Sequence, residues 1–244
     1  MFRTNNPVIS KVRDTVDFVT EEATYKGVAT KVSLLVLVTV LAALSVYTGV
    51  LPPALLYGAL IFSGFGTFLC VLLGSIFPGA AKITSWIYAF CEGVLIGILC
   101  MLGEQFVPGI SIMTIAITAC VFFSLLILHS SRIVVVTNGF QRFIITAFFS
   151  MFFATLILSL VNLFTKGSLN GLFESFSLTL IVSAVYILLA TGMLLIDFER
   201  IKQAVYSRVD KKYEWTLALG LMVTLIWLFV EIFRFVLIIA SRDN

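Results

Sequence analysis

The residues of this chain whose types could do chemistry are a few ionisable side chains set in long apolar stretches. Asp197 stands in "MLLIDFERIKQAV" (193–205), where an apolar run from Leu172 onward gives out. Glu92 lies in "YAFCEGVLIG", and Glu231 and Arg234 stand three residues apart in "TLIWLFVEIFRFVL". A charged group in hydrocarbon costs roughly 2.5–3.5 kcal/mol at mid-depth on insertion scales, so each needs a partner, a proton or water. Carboxylates so placed can supply the oxygen ligands that hard cations take. Asp197 has two readings: an end-marker meeting water and paired with Arg200 or Lys202, or a working group near the first turns of the last apolar segment. Glu92 has no basic neighbour at helical spacing, so it is either hydrogen-bonded to another helix or part of an ion path. Gly93 and Gly97 follow it at the small-xxx-small spacing that lets a second backbone come close. Glu231 and Arg234 share a helical face and read as a local ion pair or as part of a solute pathway.

The elements that position these groups follow from composition. Of 244 residues, 60% are hydrophobic and 12% charged, with a mean hydropathy of +1.11. Soluble domains run near 25% charged, so an all-α integral membrane protein is expected. Crossing a ~30 Å hydrocarbon core takes about 20 apolar residues. Seven segments qualify: 32–51, 54–76, 83–102, 107–129, 143–165, 172–197 and 215–240. Residues 1–31 carry nine charged side chains, which argues against a cleavable signal and for a tail ahead of an uncleaved anchor. In that tail "NNPVISKVRDTVDFV" offers Asn6 as N-cap and Pro7 at the first helical position, and predicts a short amphipathic helix on the membrane surface. Residues 32–240 form the membrane domain.

Lys and Arg counts in alternate connections set the expected orientation. Thirteen fall on the side of the N-terminal tail, among them Lys26, Lys31, Lys82, Arg132 and Arg200, against Lys166 and Arg242 on the other. The expected location is the plasma (inner) membrane, with the N-terminus cytoplasmic and the C-terminus outside. The net charge of +3 is a topology signal, since no basic stripe with interleaved aromatics suggests a nucleic-acid partner. The four cysteines have no metal-ligand spacing, and His129 is the single histidine. No metal, no cofactor and no enzymatic activity is expected, because no nucleophile–base pair or phosphate-cradling glycine loop is visible.

Four stretches together resemble the transmembrane Bax inhibitor motif family, in its bacterial branch. "LLIDFERI" resembles the family's "YDxxxI" signature, and "FCEGVLIG" is similar to its "FEG" element. "RIVVVTNGFQRFI" (132–144) and "EWTLALGLMVTLIWLFVEIFRFV" (214–236) look like a connection and the final span. The resemblance implies seven transmembrane helices, six packed around a central seventh, and a pH-sensitive leak of calcium ions. In the family, an acid ending the sixth span and one in the seventh share a proton and hold the pore shut. Asp197 matches the first acid, whereas Thr224 falls at the position of the second. A basic residue that some relatives bring from the second span is missing, and Lys82 is the nearest substitute. Two neighbouring carboxylates titrate as a unit; a lone Asp beside a Thr lacks that like-charge term, so its pH response is expected to be weaker or displaced.

Two functions are therefore expected as alternatives. One is a cation leak, calcium first, with Asp197 and Thr224 as the pH gate at the cytoplasmic side, Glu92 and Glu231 along the ion pathway, and Arg200, Arg234 and Lys82 as charge partners. The other is a non-transporting membrane interaction protein. The resemblance implies it, since bacterial relatives modulate a membrane-anchored quality-control protease, and the N-terminal tail would be the handle.

Overall fold

The computed structural model describes residues 21–50, 52–164 and 176–240, and among them the chain is all-helical. The helices are α1 (Tyr25–Tyr47), α2 (Pro53–Ile76), α3 (Ala81–Phe106), α4 (Ile110–Ser130), α5 (Asn138–Phe164), α6 (Phe176–Tyr206) and α7 (Tyr213–Ala240). Over their described residues, six of these are long and apolar enough to cross a membrane; α2 is 24 residues long, with a described apolar stretch at Gly66–Ile76. Their outward faces are crowded with large apolar side chains such as Ile61, Ile112 and Phe153, as a lipid-facing surface requires.

Local chemistry sets the helix ends. Thr24 caps α1, its hydroxyl accepting from the Gly27 N–H, so this helix starts within the stretch expected to be tail. Pro53 opens α2, where a missing N–H costs nothing. The α3–α4 turn is closed by Glu104, which accepts from the N–H groups of Gly109 and Ser111 at 2.6 and 3.1 Å. Gly109 there has φ +85, a left-handed conformation that glycine adopts without strain. The amphipathic helix expected at 6–19 lies outside the described residues.

α7 is the most buried of these candidate spans. It packs against α1, α2, α3, α4 and α6. Its buried side chains include Leu219, Met222, Leu228 and Ile232. α5 is the opposite case: Ile144 is its buried residue, seated against Gly192 of α6. The close approach expected at Gly93 and Gly97 is made by α1. A Cβ on Gly93 would lie 2.5 Å from the Thr39 carbonyl oxygen, and one on Gly97 2.8 Å from that of Ala43. Thr39 also donates to the Ala89 carbonyl of α3 at 3.0 Å. Absent side chains let these two backbones meet.

Candidate functional site

Asp197 does not end its helix. α6 continues nine residues further, to Tyr206, because Glu199, Arg200, Lys202 and Gln203 keep a helical pattern after the apolar run stops. Lys202 and Gln203 close back onto Glu199 at one-turn spacing. Asp197 therefore lies inside the bundle, with 6% of its surface exposed. One carboxylate oxygen accepts a 2.5 Å hydrogen bond from the Thr224 hydroxyl of α7. The other faces Arg200 at 3.2 Å, whose own side chain is half exposed. The same Thr224 hydroxyl lies 3.3 Å from the Gly220 carbonyl, one turn back.

Glu231 stands seven residues beyond Thr224, on the same face of α7 and about 10 Å further along at 1.5 Å per residue. It too is buried. The Trp227 indole N–H donates to its Oε1 at 3.2 Å. Arg234 Nη2 stands 2.7 Å from its Oε2, an ion contact whose N–H is not aimed at the oxygen. The Arg234 guanidinium also lies over the Tyr186 ring of α6, 5.2 Å from its centre. The local-pair reading of Glu231 is thus met, with an added link to α6.

Glu92 is half-buried and hydrogen-bonds Thr67 of α2. It belongs to the α2–α3 seam, while Asp197 and Glu231 belong to the α6–α7 seam. Lys82, at the start of α3, is exposed. Asp197 takes its charged partner from Arg200 on its own helix, and no Lys82–Asp197 contact occurs among the described residues. His129 ends α4 with Nε2 3.7 Å from Glu199 and its ring against Phe198.

A carboxylate that sequence reasoning passed over is the most enclosed among the described residues. Glu214, in the first turn of α7, is 1% exposed. It accepts from the Thr24 N–H at 2.8 Å, from the Thr24 hydroxyl at 3.2 Å and from the Lys31 ammonium. Lys31 also lies over the Trp215 ring. Glu214 looked like the polar end of a connection. Its partners are about 190 residues away in sequence, and only the adjacency of Glu214 to Trp215 hinted at an enclosed acid.

A scan against protein-family models matches residues 6–241 to the family described as Bax inhibitor 1 like. The chain belongs to the Bax inhibitor 1 like family. No curated protein matches it in sequence. Membership accords with the apolar helices in describing a multi-pass membrane protein. The residue aligned earlier with the family's second acid, Thr224, is the group in contact with Asp197.

Proposed function

We propose that this chain is a non-enzymatic, pH-sensitive cation leak of the plasma membrane, calcium being the first candidate ion. It crosses the bilayer seven times, with six helices around α7, the N-terminus cytoplasmic and the C-terminus outside. The observation that carries this reading is the buried contact between Asp197 and Thr224. It ties the most enclosed helix to its neighbour through a group that can change charge. With Asp197 ionised, the Thr224 hydroxyl donates a charge-assisted hydrogen bond, roughly twice as strong as a neutral one. Proton uptake removes the attraction to Arg200. It also reverses the hydrogen bond, since a hydroxyl both donates and accepts, and Gly220 O is in place to accept the hydrogen bond that the Thr224 hydroxyl then donates. The α6–α7 contact survives but weakens, and α7 loosens. Glu231, on the Thr224 face, offers the next oxygen ligands for a passing cation; Glu92 serves the α2–α3 side.

The test is calcium flux into dye-loaded vesicles carrying the reconstituted protein, across a pH series. Asp197→Asn is expected to flatten the pH profile while flux remains. Flux and profile both at wild-type values in this variant would overturn the gate. Absence of flux at every pH and voltage would overturn transport, leaving modulation of a membrane protease through the N-terminal tail as the function.

A further inference from the structure

α1 and α4 are not packed against each other, and between them the bundle opens a cavity of about 1340 Å³. Its floor is apolar, made by Ile226 and Phe229 of α7, Phe198 and Ile201 of α6, and Ile96 of α3. The ionisable groups among its lining residues sit at the ends. At one end stand Arg132, Lys202 and His129, with Tyr25 and Tyr206; at the other stands Glu104. The α1 wall runs from Tyr25 to Tyr47, about 33 Å at 1.5 Å per residue, which matches the ~30 Å hydrocarbon core. Water does not fill so apolar a space.

The two ends differ in charge. Glu104 gives its carboxylate to the α3–α4 turn, leaving that end acidic. At the opposite end Lys202 and His129 both approach Glu199. Arg132, exposed and in a left-handed turn at φ +55, has no carboxylate partner among the described residues. His129 Nδ1 is buried without a hydrogen-bond partner. Arg132 and Lys202 outnumber the one acid there, Glu199.

We propose that this cavity holds an acyl chain of one anionic glycerophospholipid, with the headgroup phosphate on Arg132 and Lys202. One leaflet's acyl chain covers about half of the ~30 Å core, so the chain lies in the half of the cavity next to the basic end, and the charge difference between the ends fixes which way the lipid lies. This site is distinct from the Asp197–Thr224 contact and does not depend on ion conduction. It touches that contact from behind, because Phe198 follows Asp197 and Leu225 follows Thr224.

Native mass spectrometry of the purified full chain, incubated with equal amounts of dioleoyl phosphatidylglycerol and dioleoyl phosphatidylcholine, tests it. One phosphatidylglycerol is expected to be retained at least several-fold over phosphatidylcholine. Ala119→Trp fills the middle of the cavity and should remove the retained lipid. Ser33→Trp, on the facing α1 wall, should do the same, so a folding failure of one variant leaves the other to decide. The double variant Arg132→Gln, Lys202→Gln should keep one lipid and lose the headgroup preference. Equal retention of the two lipids by the wild type, or unchanged retention in a folded tryptophan variant, overturns the proposal.

Discussion

Two buried carboxylates, Glu214 and Asp197, lie in the same half of the α6–α7 hairpin and are held in different ways. Glu214 is met by a backbone N–H, a hydroxyl and the Lys31 ammonium. The ammonium and the N–H donate only, and the Thr24 hydroxyl already accepts from the Gly27 N–H, so a protonated Glu214 would leave at least two donors without their acceptor. Asp197 is met by one hydroxyl and one half-exposed guanidinium. The hydroxyl can reverse its role, and the guanidinium can turn to water. Burial alone therefore does not mark a switch; the partners decide whether a buried acid is an anchor or a changeable contact. Glu214 fastens the start of α7 to the start of α1, and Asp197 gives α7 a second, softer hold further in.

The largest effect is expected where the anchor is cut. Lys31→Met leaves a buried carboxylate without its cation, and breaking a buried pair on one side costs about 3–5 kcal/mol. Thermal unfolding in detergent should show a large fall in Tm. A second double variant, Lys31→Met with Glu214→Leu, should recover much of the loss, since the uncompensated charge goes too. A drop in Lys31→Met no larger than in Asp197→Asn would erase the distinction between anchor and switch. Gly27 sharpens the same point. A Cβ there would fall 2.1 Å from Glu214 Oε1, and that carboxylate is held too firmly to step aside. Gly27→Ala is expected to cost about 1–3 kcal/mol, as overpacking does.

The softer hold should register in function more than in stability. Thr224→Ala removes one hydrogen bond to a charged group, about 1.5–3 kcal/mol. Every 1.4 kcal/mol is tenfold, so calcium leak in vesicles should rise about tenfold or more at a pH where the wild type is closed. Thr224→Asp should restore two facing carboxylates, which titrate as a pair; its flux profile should show two steps where the wild type shows one. Unchanged flux in both variants would mean that the contact ties helices without governing passage.

Much of this architecture was legible in the chain because hydropathy is a local property. Each expected apolar segment overlaps one helix, six of them qualifying as spans over their described residues, and the glycine spacing at 93 and 97 announced a close neighbour. The Glu231–Arg234 pair was legible for the same reason, being set by one helix's own geometry. The sixth helix outlasts its apolar run by nine residues, so the partner expected one turn on, Arg200, is where helix geometry puts it. The burial of Asp197 against α7 was not legible, because it depends on packing between helices. Glu214 escaped notice because its partners come from the other end of the chain. Nor could hydropathy say that Glu92 turns toward Thr67, since the rotation of a helix about its axis depends on packing.

A smaller effect is expected at Arg234, which joins Glu231 to the Tyr186 ring. Arg234→Met keeps the stem and removes the charge. It should lower Tm by less than Lys31→Met, because Glu231 retains the Trp227 N–H and Arg234 is itself about half exposed.

The smallest effect belongs to a partly exposed acid outside the bundle. Asp210, in the α6–α7 connection, accepts from the Lys212 backbone N–H at 3.0 Å and faces the Lys212 ammonium at 3.0 Å. The Lys212 N–H, then its side chain, holds the Asp210 carboxyl below the usual range. A depressed carboxylate stabilises the fold above its ordinary, unfolded value, and that contribution is lost as pH falls through the folded one. Water and salt screen an exposed pair of this kind. Asp210→Asn should therefore leave Tm at neutral pH within the error of measurement and trim only its fall in acid. If it instead lowered Tm as far as Lys31→Met, partner chemistry in the open would count as much as in the bundle, and the contrast between Glu214 and Asp197 would lose its physical basis.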